Sequence, residues 1–238
     1  ITFDSVGNYQ RIMASVMTDN AKASTEVATH MVESLGDAGQ VVVIAHDSKS
    51  LTSQERVNNF IAEIQNNHPN MSVAGPYYMD QIDDIKKTIA EQQLDIVPVE
   101  GQELDEEQQT ALDDAIAQIT DEDIYNYILE MNPDVKGIFA TNGDTTMQAL
   151  TACEGKDMKD VVIMGYDADQ EEIDAMKDGR IAGMIVQNPY GMGYATVVAE
   201  ARCVLNMGNE ANVNTGYTWV TPDNIEDRTV QDILYAEK

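Results

Sequence analysis

The chain has 238 residues, 43% of them hydrophobic, with 42 acidic against 14 basic side chains and a formal charge of −28 at neutral pH. That length buries a substantial core in one large domain or two small ones, while the charge repels nucleic-acid phosphates and anionic lipid surfaces and suits a solvated exterior that resists aggregation. No run of about eighteen apolar residues is present to span a bilayer, and two cysteines say nothing about compartment.

Ile1 to Asp4 reads as a short strand without an initiating Met, a basic stretch or a signal-peptide core, which is the expectation for a processed or truncated chain. A second β-like run covers Ile12 to Thr18. Asn20 suits the cap of a helix over Ala21 to Leu35, with Val27, Met31, Val32 and Leu35 at helical spacing and Gly36 or Gly39 as terminator. Val41 to Ala45 is a buried strand. The loop from His46 to Ser50 then leads to a helix over Ser53 to Gln65, capped by Thr52, with Val57, Phe60, Ile61 and Ile64 inward. Met71 to Ala74 is a short strand ahead of Gly75-Pro76.

From Met79 to Met131 the composition shifts to sixteen acidic residues against Lys86 and Lys87. Helical stripes persist at Ile82, Ile85 and Ile89, at Leu112, Ile116 and Ile119, and at Ile124, Tyr127 and Ile128, with Val97-Pro98-Val99 as a break. A calcium loop would need alternating oxygen ligands around a central Gly, which this segment lacks.

Three nearly unbroken apolar runs follow, at Lys136 to Thr141, Val161 to Tyr166 and Ile181 to Val186, the pattern of parallel strands buried on both faces. They end on Asn142, Asp167 and Gln187, and helical patterns at Thr145 to Cys153 and Gln170 to Lys177 separate them. The alternation predicts an α/β fold, a doubly wound parallel sheet in a three-layer α/β/α arrangement, with the polar residues converging on the edge where such sheets bind ligands. Pro189 suits the first turn of a helix to about Met207, and Tyr217 to Val220 is followed by a short helix ending near Tyr235.

The phrases Gly137-Ile138-Phe139-Ala140-Thr141-Asn142, Met164-Gly165-Tyr166-Asp167 and Gln187-Asn188-Pro189-Tyr190-Gly191 resemble the type I periplasmic binding proteins, the ribose- and galactose-type sugar receptors of ABC transporters. Thr18-Asp19-Asn20 and the helix opening Thr52-Ser53-Gln54-Glu55-Arg56 fall in the same order. The resemblance implies one complete lobe plus remnants of a second. Residues 1–15 are a remnant of the N-terminal lobe and hinge. The C-terminal lobe runs over 16–187, with an acidic two-helix insertion at about 79–119 placed away from the Asn142–Asp167 edge. Residues 188–213 form a helix of the other lobe, and 214–238 a hinge return and tail. Most of the N-terminal lobe is then missing. Cys153 and Cys203 fall on different lobes in this scheme, too far apart to be joined.

The resemblance further implies extracytoplasmic capture of a small carbohydrate and its delivery to permease subunits in the membrane, with Asp4, Arg56, Asn142, Asp167 and Gln187 as ligand-binding residues. Carboxylate, guanidinium and amide groups suit a ring of hydroxyls because they accept and donate in fixed directions. Asn142 and Asp167 equally suit capping of the helices after them, and Arg56 an ordinary ion pair. Tyr166, Tyr190 and Trp219 are candidates for stacking on a sugar ring, although core or hinge packing explains them as well. Asn59 and Gly143 depart from the family pattern and bear on which sugar is taken. No enzyme, cofactor, metal or nucleic-acid role is expected: His30, His46 and His68 sit in no catalytic phrase, and no phosphate-binding or metal-ligand spacing occurs. The alternative is the effector-binding domain of a LacI-type regulator or a sensor ectodomain.

Overall fold

The computed structural model describes residues 1–7, 9–97 and 104–235. In chain order it contains β1 (Thr2–Phe3), β2 (Ser15–Met17), α1 (Asn20–Leu35), β3 (Gly39–Ala45), α2 (Leu51–Asn67), β4 (Met71–Tyr78), α3 (Asp83–Gln93), α4 (Glu106–Gln118) and α5 (Asp121–Met131). There follow β5 (Val135–Ala140), α6 (Gly143–Gly155), β6 (Val162–Tyr166), α7 (Gln170–Lys177), β7 (Gly183–Gln187), α8 (Pro189–Val204), β8 (Asn212–Asn214), β9 (Tyr217–Val220) and α9 (Arg228–Gln231).

The large sheet has the order β4-β3-β5-β6-β7-β9, parallel except for β9, which pairs antiparallel with β7. Strand alternation sorts its side chains into two cores. Val41, Val43, Ala45, Phe139, Met164 and Ile185 meet α1 and α2 on one face, where Val27, Met31, Val57, Phe60 and Ile64 are fully buried. Val42, Ile44, Ile138, Ile163, Met184 and Val186 meet α5, α6 and α7 on the other. The expected three-layer α/β/α sandwich with a mostly parallel central sheet is what the chain builds.

Local details differ from the sequence reading in instructive ways. Asp19, not Asn20, caps α1 by accepting from the Lys22 amide, which frees the Asn20 side chain for the interior. Ser50 rather than Thr52 caps α2, and α6 starts at Gly143 because Asn142 caps it. Strand β4 runs on through Gly75-Pro76 to Tyr78; as an edge strand it tolerates a residue without an N–H, and its register shifts opposite Val42 and Ile44. Besides the five parallel strands read at Val41, Met71, Lys136, Val161 and Ile181, the sheet gains β9, which joins it at the β7 edge.

The acidic segment holds the two helices α3 and α4, with α3 packed against α4 and α5. The expected break at Pro98-Val99 lies outside the described residues. A small sheet, β1-β2-β8, is parallel throughout and is covered on one side by α8. Three chain crossings join it to the large sheet and are bonded together: Thr215 N–H donates to Met17 O at 3.1 Å, and Asn188 Nδ2 to Thr215 O at 3.1 Å. Cys153 is buried in the large-sheet core, Cys203 stands on α8, and both are free thiols. Among the described residues no helix is long and apolar enough to cross a membrane.

Candidate functional site

The order of the large sheet reverses between β3 and β5, since the chain leaves β3 for β4 on one side and returns to β5 on the other. Crevices at such switch points, outside the strand C-terminal ends, are where open α/β sheets bind ligands. His46 follows β3 there, Thr141 and Asn142 follow β5, Asp167 follows β6, and Gln187 ends β7.

Arg56 reaches this edge from the second turn of α2. It is buried to 4% exposure, donates from Nε to Asn20 Oδ1 at 2.8 Å and from Nη1 to the Thr141 carbonyl at 2.6 Å, and lies 4.0 Å over the Tyr166 ring. The fully buried Tyr166 hydroxyl shares a 2.9 Å hydrogen bond with Ser24, and burial pushes its phenol up to about 12 against the opposing influence of Arg56 and Ser24. The guanidinium plane is thus clamped by two oxygens and an aromatic face, a geometry that lysine does not reproduce.

Asp167, with φ of 75°, holds a second chain of bonds. Its Oδ1 accepts from Gln187 Nε2 at 2.8 Å and its Oδ2 from the Gly143 amide at 3.2 Å. Thr18 Oγ1 in turn donates to Gln187 Oε1 at 2.9 Å, so the crossing after β2 is tied to the same network. Asn142 spends its Oδ1 on the Thr145 amide at 3.1 Å and the Thr145 hydroxyl at 2.6 Å, which is the capping role; its Nδ2 is a further donor.

Four of the five residues singled out, Arg56, Asn142, Asp167 and Gln187, therefore meet at one end of the large sheet. Asp4 approaches from the small sheet at φ 63°, its amide bonded to Val16 O at 2.9 Å, its side chain exposed. His46 is a fifth member of the edge that the sequence reading passed over. Its Nδ1 is 2.8 Å from Thr141 Oγ1 and its Nε2 3.2 Å from Asp47 Oδ2. Burial first, and Arg56 second, lower its pKa, with Asp47, Asp167 and Asp4 acting the other way. Of the aromatic candidates, Tyr166 is core beneath Arg56, Trp219 stacks on His30 at 4.5 Å, and Tyr190 is 84% exposed. Among the described residues no cluster of His, Cys, Asp and Glu is arranged to hold a metal.

A family model for the periplasmic binding protein domain matches residues 1–203. The chain belongs to the periplasmic binding protein family. As a periplasmic binding protein it is 21% identical over 193 residues to the ribose import binding protein RbsB of Bacillus subtilis, a match that covers 81% of this chain and 50% of that protein. The RbsB of Escherichia coli is 33% identical over 66 residues, which is 28% of this chain and 22% of that protein. The chain spans about half the length of the first of these relatives.

Its fold is that of an ABC transporter solute-binding protein from Agrobacterium vitis solved with bound D-fucose, with a TM-score of 0.75 and 23% identity over 98% of this chain and 69% of that one. A carbohydrate transporter solute-binding protein from Agrobacterium radiobacter, in complex with D-arabinose, gives a TM-score of 0.74 at 22% identity, with the same coverage.

Proposed function

We propose that the chain supplies one wall of a carbohydrate-binding cleft in an extracytoplasmic ABC transporter substrate-binding protein, which hands its small sugar to membrane permease subunits. The observation that carries this reading is the meeting of Arg56, Asn142, Asp167 and Gln187 along the strand C-terminal edge beside the switch point of the sheet, each held by partners that fix its direction. Two donors, one acceptor and an amide able to do both form the set a ring of hydroxyls requires. Family membership and the sugars bound by the Agrobacterium proteins support the carbohydrate class. In this reading residues 16–187 form the ligand-bearing lobe, while residues 1–15 and 188–213 belong to the opposing one, which brings Asp4 to the cleft. The acidic helices at 79–119 stay clear of the sugar. Binding follows closure of the two walls.

The test is amide-resolved NMR of the 238-residue chain titrated with pentoses, hexoses and small polyols, because one wall alone binds weakly. The expected result is that amides around Asn142, Gly143, Asp167 and Gln187 shift with at least one sugar. Asp167→Ala removes a charge-assisted acceptor and weakens that sugar's affinity ten- to a hundredfold, about 1.5–3 kcal/mol. Undiminished affinity in the folded variant rejects the site, and silence across the panel rejects the carbohydrate reading.

A further inference from the structure

Helix α7 begins just past Asp167, and its third residue, Glu172, turns back under the binding edge with 2% of its surface exposed. Glu172 Oε2 accepts from the Asp169 amide at 2.6 Å. Its Oε1 is buried with no hydrogen-bond partner among the described residues, and it occupies the space that the Cβ of any side chain at position 143 would enter. Gly143 is also the residue whose amide donates to Asp167 Oδ2 at 3.2 Å. The carboxyl groups of Glu172 and Asp167 thus engage the same glycine.

Among the described residues the charged groups that face Glu172 are Asp167 and Asp169 from the segment between β6 and α7 and Asp144 from the first turn of α6, and all three are acidic. A buried carboxylate with an unpaired oxygen among three acids is costly, whereas the neutral acid gives up far less hydration. Burial, with those three acids adding to it and the Asp169 amide opposing, pushes the Glu172 carboxyl up to about 7.

We infer that Glu172 is a positioning residue for the binding edge: as a neutral acid it packs on Gly143 and fixes the amide that holds Asp167, and its ionisation repels Asp167 and slackens that acceptor. Its consequence for ligand rests on the carbohydrate reading above. Glu172 touches no sugar in this scheme and acts through Gly143 and Asp167.

The test compares the full chain with Glu172→Gln, which keeps the shape and removes the proton. Carboxyl-carbon NMR of both ligand-free proteins is followed from about pH 4 to 9, a range that brackets ordinary carboxylates and the neutral region. In the wild type, Glu172 titrates near neutrality and the Asp167 carboxyl signal shows an inflection at the same pH; in Glu172→Gln that inflection is gone. Titration of wild-type Glu172 near its ordinary value of 4.5, or the same Asp167 profile in both proteins, overturns the inference. The first of these outcomes needs no variant, so it holds even if Glu172→Gln fails to fold.

Titration with D-arabinose then separates the two readings. Wild-type affinity should fall by up to about tenfold per pH unit above the Glu172 midpoint, while Glu172→Gln shows no such fall. Equal pH profiles overturn the role of Glu172 and leave the carbohydrate reading standing. Should neither protein bind any sugar, the carbohydrate reading fails while the carboxyl titration still decides the coupling of Glu172 to Asp167.

Discussion

Arg56 owes its fixed position to partners far apart in sequence: Asn20 at the start of α1, the Thr141 carbonyl after β5, and the Tyr166 ring at the end of β6. The Thr141 side chain extends that network to His46, and the His46 ring to Asp47, which itself accepts from Ser50 at the start of α2. The Thr141 hydroxyl accepts from the His46 amide and can donate to Nδ1, the pattern of a neutral imidazole that carries its proton on Nε2, close to Asp47. Because the folded pKa of His46 is lowered below its ordinary 6.5, the unfolded chain binds more protons over the window beneath that value. Its contribution to stability is complete above about pH 6.5 and is lost as the pH falls toward the folded value. Glu172 has the opposite sign, since its raised pKa makes the folded chain the better proton binder between 4.5 and about 7. The two oppose each other in whole-protein melts, so the expected result appears in differences. From pH 7.5 to about 5.5 the wild type loses melting temperature relative to His46→Gln, and a constant difference contradicts the neutral, half-buried ring. Strand-end position made Asn142, Asp167 and Gln187 legible from sequence. His46 stands in the same relation to β3 and obeys the same rule. Its partners were hidden because pairing of β3 with β5 across 95 residues brings Thr141 to it.

At the scale of elements, what the sequence states locally is also what forms. Helix α7 has the bounds its apolar spacing and flanking residues predict, Gln170–Lys177, and α5 buries Ile124 and Ile128 of its predicted stripe. What it does not state locally depends on a partner. Strand β8, Asn212–Asn214, is polar and three residues long, and it exists by pairing with β2. Strand β9 takes its antiparallel place at the edge from β7, where Ile185 pairs with Trp219 and Met184 with Val220. A close approach reinforces that edge: the Trp219 ring lies over Gly183 in the space a Cβ would need. The same ring stacks on His30 at an interplanar angle of 10°. Gly183→Ala must push the indole off β7 against His30, and overpacking of this kind costs about 1–3 kcal/mol. Trp219 is the chain's one tryptophan, so fluorescence reports the displacement directly. The expected outcome is a red-shifted emission in the native state with a lowered denaturation midpoint, and an unchanged spectrum would show that the ring does not rest on Gly183.

For the molecule as a whole, the large sheet is covered on both faces by helices, whereas the small sheet is covered on one side by α8. Helix α8 turns Met192 and Ala199 inward. Tyr190, Tyr194, Val197 and Val204 recur at spacings of four, three and seven residues, which places them along one stripe of the helix. Their exposures are 84%, 67%, 65% and 82%. Phe3 on β1, at 63%, and Leu205 just beyond α8, at 67%, add to the apolar exposure of this part of the molecule. Scattered exposed apolar residues are ordinary, but a stripe along a helix is not, and a charge of −28 keeps copies apart by repulsion without hiding it. A dye that senses exposed apolar surface should therefore bind the fully folded chain, at neutral pH and without denaturant. Val197→Lys places a charge in the middle of the stripe at an exposed helical position, where the stability change is within about 0.5 kcal/mol. It should cut the dye signal while the melting temperature holds. The acidic helices, at the other sheet, serve as the control: Ile116→Lys on α4 should leave the signal as it is. Equal dye binding by wild type and Val197→Lys would place the apolar surface elsewhere, and loss of signal in the Ile116→Lys protein would place it on the acidic helices.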